Sequence, residues 1–309
     1  MSQRAQTANA VLMVPPDDFG FNEQTARDNE FQHPPQAGED WRSEVASEFA
    51  ASVAALRGAG VDVVLLPKNP VLPALPDAVF PNNWFSTWPD GRVYLYPMRT
   101  SNRQAEVRPQ DLRAALEHAG YRVGEMHSVA HAPGQALEGT GALIFDHVNR
   151  KVYAARSERC DSLLVQQHAQ ALGYQAIVFE TCSSHGRPFY HTNVMMSIGE
   201  NFALVCSEAI VAEQRAEVLQ ALRADKRDLI EVSLAQAEQA FCANILQLQN
   251  RDGGQVIAMS ASALAAFNAE QKAVLSRHGQ LLALPVTTIE HMGGGSARCM
   301  LAEVFLPKR

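Results

Sequence analysis

Short apolar runs rich in β-branched and aromatic residues recur along this chain, each pair broken by a tight polar turn, the pattern of a β-hairpin. Pro89-Asp90-Gly91 separates Trp84–Thr87 from Val93–Tyr96, and Asp146–Asn149 separates Ala142–Phe145 from Val152–Ala154. Gly199-Glu200-Asn201 separates Val194–Ile198 from Ala203–Cys206, and Arg251–Gly254 separates Ile245–Leu248 from Val256–Met259. The turns begin at 89, 146, 199 and 251, spaced by 57, 53 and 52 residues. A period of this size marks a repeat architecture.

The segments that follow the hairpins carry apolar residues at helical spacing, which predicts helices over 103–119, 158–172, 208–224 and 260–278. Ser260 has the character of an N-cap, and Gly120, Gly173 and Gly279 that of C-cap glycines. Each helix leads to one more extended run: Arg122-Val123, Gln175–Phe179, Leu229–Val232 and Leu281–Leu284. A fifth unit is split between the ends, with Val11–Val14, a helix over 42–58 and Val61–Leu66 in front, and Cys299–Leu306 behind. Strict βα alternation in a doubly wound sheet would not place a hairpin in every unit. The expectation is therefore an α/β ring of five strand-hairpin-helix units, a single domain over 1–309. A chain of 309 residues would otherwise suggest two domains.

Composition narrows the partners. Apolar residues make up 47% and the net charge is −7, with no Lys/Arg-rich run, so neither nucleic acid nor an anionic membrane is an expected partner. No apolar run is long enough to span a bilayer, and Met1–Ala10 lacks the apolar region of a secretory signal, so a cytoplasmic location is expected. Five scattered cysteines without a CxxC pair exclude a disulfide scaffold and a zinc finger. Cys182, His185 and His191 share one stretch, but the spacing has no second half, so no metal and no cofactor is expected. The Gln/Ala-rich faces at 166–171 and 235–240 read as solvated helix surface; contact with a second copy in a homo-oligomer is the other reading.

The repeat also places candidate chemistry. About eight residues before each turn lies a polar residue or a thiol: Asn82 or Asn83 in PNNWF, Glu138 in LEGTG, His191 in YHTN, Asn244 in CANI, and Cys299 after GGGSAR. Equivalent positions of a ring converge on its axis, and burying such groups unpaired would cost about 1–3 kcal/mol each. A thiol, an imidazole and a carboxylate together suit nucleophilic catalysis, because the imidazole favours the reactive thiolate. Gly293–Ser296 allows close backbone approach, with Gly294 a candidate donor to an intermediate.

These motifs, in this order and over essentially the whole chain, resemble the guanidino-group-modifying superfamily, in particular its arginine deiminase-related, citrulline-utilisation hydrolase and amidinotransferase-like branches. The resemblance implies a five-bladed pseudo-symmetric α/β propeller, the pentein fold. It implies Cys299 as nucleophile, His191 as the acid and base serving the leaving amine and water, and Glu138 beside the histidine. Asn82 and Asn83 match a substrate-binding asparagine. Arg159, in Ser157-Glu158-Arg159, matches an arginine that grips the substrate α-carboxylate, and Phe19, Asn22 and Glu23 resemble a substrate-lining loop. Two acids of the family pattern are missing: Trp88 and Asn193 stand in their places. Neutral asparagines suit an uncharged ureido group, whereas a guanidinium cation prefers anionic partners. The expected activity is hydrolysis of a non-peptide C–N bond in a citrulline-like amino acid. The alternatives are an arginine or dimethylarginine hydrolase with Asp77, Asp90 or Glu23 as substitute acid, an amidinotransferase, and a silent binding protein.

Overall fold

Residues 85–87 and 93–95 fold back on each other as an antiparallel pair, and Met126–Ser128 then joins Val93–Leu95 in parallel. The computed structural model describes residues 5–35, 38 and 40–309, and this three-stranded unit occurs in it five times. The second consists of Ile144–Asp146, Lys151–Ala155 and Gln175–Phe179, and the third of Met196–Ile198, Phe202–Val205 and Asp228–Glu231. The fourth comprises Leu246–Gln249, Gln255–Ser260 and Gln280–Leu284. In the last, Ala302–Glu303 pairs antiparallel with Ala10–Met13, which pairs in parallel with Asp62–Leu65. Val11 thus faces Glu303 on one side and Val63 on the other, and the two chain ends complete one blade between them. The fold is a five-bladed α/β propeller, a pentein.

The parallel step within each blade needs a crossover, and a helix supplies it. The helices are Trp41–Gly58, Pro109–His118, Ser162–Leu172, Ala212–Arg223 and Ala269–His278. Local chemistry sets their ends and shifts several expected boundaries. The helix expected over 103–119 divides into Ser101–Gln104 and Pro109–His118, because Pro109 disfavours the helical region at Arg108 and is at home at a first helical position. Asp161 caps the next helix through the amides of Leu163 and Leu164, which delays its start from 158 to 162. A 3₁₀ turn at Ser207–Ala209 precedes Ala212–Arg223. The long helix expected over 260–278 breaks in two, since Asn268 and Gln271 form a capping box that starts a new helix after Ala261–Ala266. Ser260 does cap the first of these, accepting from the Ala263 amide. Gly173 closes its helix in the left-handed region, whereas Gly279 is extended, so it ends its helix without a left-handed cap. The strand expected at Arg122-Val123 lies instead at Met126–Ser128, after Arg122 and Gly124 bond to Pro307 and Gly91.

Immediately before the first strand of each blade the chain makes a tight turn: Pro81–Asn83, Gly139–Ala142, Thr192–Val194, the bend at 242–243, and Ala297–Met300. The turns are buried and pack on one another around the axis. Gly139 has a φ of +45°, and a Cβ there would sit 2.5 Å from the Asn82 carbonyl oxygen. Only glycine permits that approach. Residues 15–35 are held by side-chain hydrogen bonds to Asp77, Gly294 and Arg159. Among the described residues, no helix is long and apolar enough to cross a membrane.

Candidate active site

The five turns bring the candidate residues together. Cys299, on the turn Ala297–Met300, is 2% exposed, and its Sγ accepts from Asn193 Nδ2 at 3.3 Å and Asn244 Nδ2 at 3.4 Å. His191 precedes the turn Thr192–Val194, and its Nε2 lies 2.8 Å from Glu138 Oε2. The other Glu138 oxygen accepts from the Arg99 amide at 3.0 Å. Gly141 backs this arrangement: a Cβ there would meet Asn83 Nδ2 at 2.4 Å and His191 Nδ1 at 2.8 Å. Two glycines of LEGTG therefore serve contact between turns, in addition to any role in the turn itself.

Charge in the cluster is arranged around Glu138. Burial alone would raise its carboxyl, but Arg159, the His191 hydrogen bond and Arg103 outweigh burial and hold it down at about 2. It is an anion at every working pH. Burial lowers the His191 pKa, helped by Arg159 and Arg103 and opposed by Glu138, so the imidazole is driven toward its neutral form. Burial also pushes the thiols of Cys160 and Cys242 up to about 12 and that of Cys206 up to about 11, which leaves them inert small hydrophobes. Cys182 is exposed on the surface. It also stands apart from a metal trio: His185 is largely solvent-exposed beside Glu30 while His191 is buried on Glu138.

The asparagine pair is oriented by a relay. Arg103, fully buried against Glu106, donates from Nη1 to Asn83 Oδ1 at 2.7 Å, and Asn83 Nδ2 donates to Asn82 Oδ1 at 2.8 Å. An arginine can only donate, so the amide directions in this chain are set, and Asn82 Nδ2 is left as a buried donor with no partner among the described residues. Asn193 Oδ1 and Asp77 Oδ1 are buried acceptors, likewise without partners. Asp77 Oδ2 accepts from Asn22 Nδ2 at 2.7 Å and Thr25 Oγ1 at 2.9 Å. Burial raises the Asp77 carboxyl above its ordinary range, against the pull of Arg103.

Other expected residues are placed differently. Arg159 is 2% exposed, but its Nε donates to Asp28 at 2.7 Å and its Nη2 to the second Asp28 oxygen at 2.5 Å. Nη2 also reaches the Thr25 carbonyl, Nη1 lies 3.8 Å from Glu138, and the guanidinium stacks over Tyr190. The face expected to grip a substrate carboxylate thus already holds a carboxylate of the chain. Gly294 was expected to offer an N–H to an intermediate; its amide instead donates to Glu290 O at 2.9 Å, and its carbonyl accepts from Tyr190 and Asn29. Phe19 is buried and edge-on to Trp41, whereas Glu23 is exposed, outside the buried cluster. Asp90 pairs with Arg92 at the surface, and Trp88 packs among Tyr94, Phe145, His147 and Tyr174.

With this geometry established, comparison with known proteins decides the family. The family model "N,N dimethylarginine dimethylhydrolase, eukaryotic" matches residues 15–306. The chain belongs to that family. Among curated proteins, none matches the sequence significantly. Solved structures share its fold. The N-terminal domain of ArgZ, an arginine dihydrolase from the ornithine–ammonia cycle in cyanobacteria, is 18% identical; the match covers 96% of this chain and 99% of that one with a TM-score of 0.73. AgrE is 19% identical over 97% of this chain and 40% of its own length, at a TM-score of 0.75. A dimethylarginine dimethylaminohydrolase from Pseudomonas aeruginosa, 14% identical, covers 96% and 99% at 0.66. This member of the dimethylarginine dimethylhydrolase family is a hydrolase of non-peptide C–N bonds. Within it, sequence reasoning left Asp28, Thr25, Arg103 and Tyr190 out of the site. The first two lie on a loop with no periodic signal, and a buried arginine in a helical segment reads as a surface residue.

Proposed function

We propose that this hydrolase acts on the neutral ureido group of a citrulline-like amino acid, with Cys299 as nucleophile and His191 as acid and base. One observation carries the choice of a neutral group: the unpartnered donor Asn82 Nδ2, whose direction the Arg103–Asn83 relay sets. A ureido carbonyl accepts from such a donor, and its N–H groups donate to acceptors such as Asn193 Oδ1 and Asp77 Oδ1. A guanidinium has only donors and would leave Asn82 unsatisfied. The Pseudomonas enzyme binds citrulline as a cysteine-to-serine variant, and an ArgZ variant is covalently bonded to a reaction intermediate, which supports both ligand class and covalent route.

In this reading the Cys299 proton passes to His191 as sulfur bonds to the ureido carbon. His191 then gives that proton to the leaving nitrogen, and an amine departs, leaving a thiocarbamate on Cys299. Water, losing a proton to His191, adds to the carbonyl, and the C–S bond breaks to return the thiolate, which regains the proton. The carbamate released breaks down, so the sum is citrulline and water to ornithine, CO2 and ammonia. Glu138 stays anionic and holds the imidazole in place. Arg159 receives the substrate carboxylate when Asp28 moves off it. Asn22 and Phe19 belong to the covering loop, and the catalytic unit is the whole ring.

A second reading is arginine or a methylated arginine as substrate, favoured by the unpartnered Asp77 Oδ1, a buried carboxylate oxygen that could stand in for the missing acids. Ammonia release from arginine, citrulline, agmatine, methylated arginines and succinylarginine, each with and without an amine acceptor, separates the readings. Citrulline should be turned over and arginine should not. Activity on arginine alone, or equal activity on both, overturns the neutral-site reading.

A further inference from the structure

The side chain of Asn244 lies between Asn193, Arg298 and Cys299. Its Nδ2 donates to the Asn193 carbonyl at 2.8 Å and lies 3.4 Å from Cys299 Sγ. Its Oδ1 accepts from the Arg298 amide at 3.0 Å and is 3.7 Å from the same sulfur, within reach to accept a hydrogen bond from the thiol. The residue is fully buried. One backbone carbonyl and one backbone amide orient the side chain, so its direction does not rest on an ambiguous amide assignment. Asn193 Nδ2 supplies a second donor at 3.3 Å. The Arg298 guanidinium, one residue from the nucleophile, points away to Leu301 O and Glu303.

We propose that Asn244 is a catalytic residue: with Asn193 it forms a neutral two-donor cradle that stabilises Cys299 as the thiolate. The inference rests on Cys299 being the nucleophile. Hydrogen bonds to an anion are stronger than those to a neutral partner, so two amide donors favour S⁻ over SH without placing a fixed positive charge beside the substrate. The cradle acts twice. Its donors meet the sulfur as it loses its proton in the attack on carbon, and they meet the thiolate again when the C–S bond of the adduct breaks after water has added. A cationic partner for the sulfur would also repel a guanidinium or an ammonium; a pair of amides does not discriminate. In the fourth blade, the slot that bears a carboxylate in the second and an imidazole in the third supplies one amide of this pair.

The test is site-resolved alkylation of Cys299 by iodoacetamide, followed by mass spectrometry from mildly acid to alkaline pH, in the full chain and in Asn244→Asp and Asn244→Ser. Asn244→Asp keeps the acceptor for the Arg298 amide and loses both donors; Asn244→Ser is the second probe should the charge prevent folding. Circular dichroism and gel filtration select folded protein. Loss of one charge-assisted donor is expected to slow Cys299 alkylation near neutral pH about tenfold or more. Alkaline pH should restore much of that rate, and kcat should fall while KM stays within about twofold. An unchanged pH profile of Cys299 alkylation in a folded variant overturns the proposal, even if turnover is lost. Failure of the underlying reading has a different signature: Cys299→Ala would retain turnover, or Cys299 in the unmodified chain would react no faster than the exposed Cys182.

Discussion

Replacing Glu138 by Gln removes one charge from the centre of the site and keeps its shape. The carboxylate holds His191 at 2.8 Å and lies 3.8 Å from Arg159. In the native protein two contributions raise the His191 pKa, both from Glu138, while burial, Arg159 and Arg103 lower it. With Gln the lowering influences act unopposed, so the imidazole is harder to protonate. A hydrogen bond to a charged partner is worth about 1.5–3 kcal/mol. At 1.36 kcal/mol per decade, kcat/KM should fall roughly 10- to 100-fold near neutral pH. The assay is ammonia release as a function of pH, and the limb governed by His191 should move to lower pH. Stability supplies an independent readout. A carboxyl held at about 2, below its ordinary 4.5, stabilises the fold above the ordinary value, and that stabilisation is lost as pH falls from about 4.5 toward 2. It amounts to something on the order of 3 kcal/mol. The native protein should therefore lose denaturant resistance steeply in that window, and Glu138→Gln should show a shallower decline. A variant with native rate and native pH profile, or a limb moved to higher pH, would refute the role given to Glu138.

Other perturbations probe separate parts of the site. Cys299→Ala and His191→Ala should each abolish turnover with the fold retained, checked by ammonia release and thermal melting; ten per cent residual activity in either would be too much. Gly141→Ala puts a methyl against Asn83 Nδ2 and His191 Nδ1, so kcat should fall at least tenfold and stability by about 1–3 kcal/mol, read by denaturant titration. Arg159→Ala should raise KM, and, because it strips a buried partner from Asp28 and Glu138, should also cost about 3–5 kcal/mol. Asp28→Asn frees Arg159 from its internal carboxylate; a lower KM is expected, and an unchanged KM would show that substrate does not compete with Asp28.

The architecture was legible in the chain because its determinants are local. Hairpin turns, period-2 runs and capping residues repeat every fifty or so residues, and a ring of equal units carries equivalent positions to one axis. That logic sufficed to collect Glu138, His191, Asn82, Asn83, Asn244 and Cys299 as one set. Helix ends were less legible, because Pro109 and the Asn268 capping box interrupt an otherwise continuous apolar pattern. What periodicity cannot reach is the pairing of distant charges. Asp28 meets Arg159 across 131 residues of sequence, and Asn22 meets Asp77 across 55. Nothing local distinguishes Asp28, held on Arg159, from Glu23, exposed five residues earlier on the same loop. The direction of each amide is also tertiary: only the buried Arg103, a pure donor, settles that Asn82 presents an N–H. The sequence by itself determined which residue types reach the axis; the tertiary structure decided which of their atoms are already partnered and which remain open to a substrate, because a hydrogen bond is set by position in space and not by spacing along the chain.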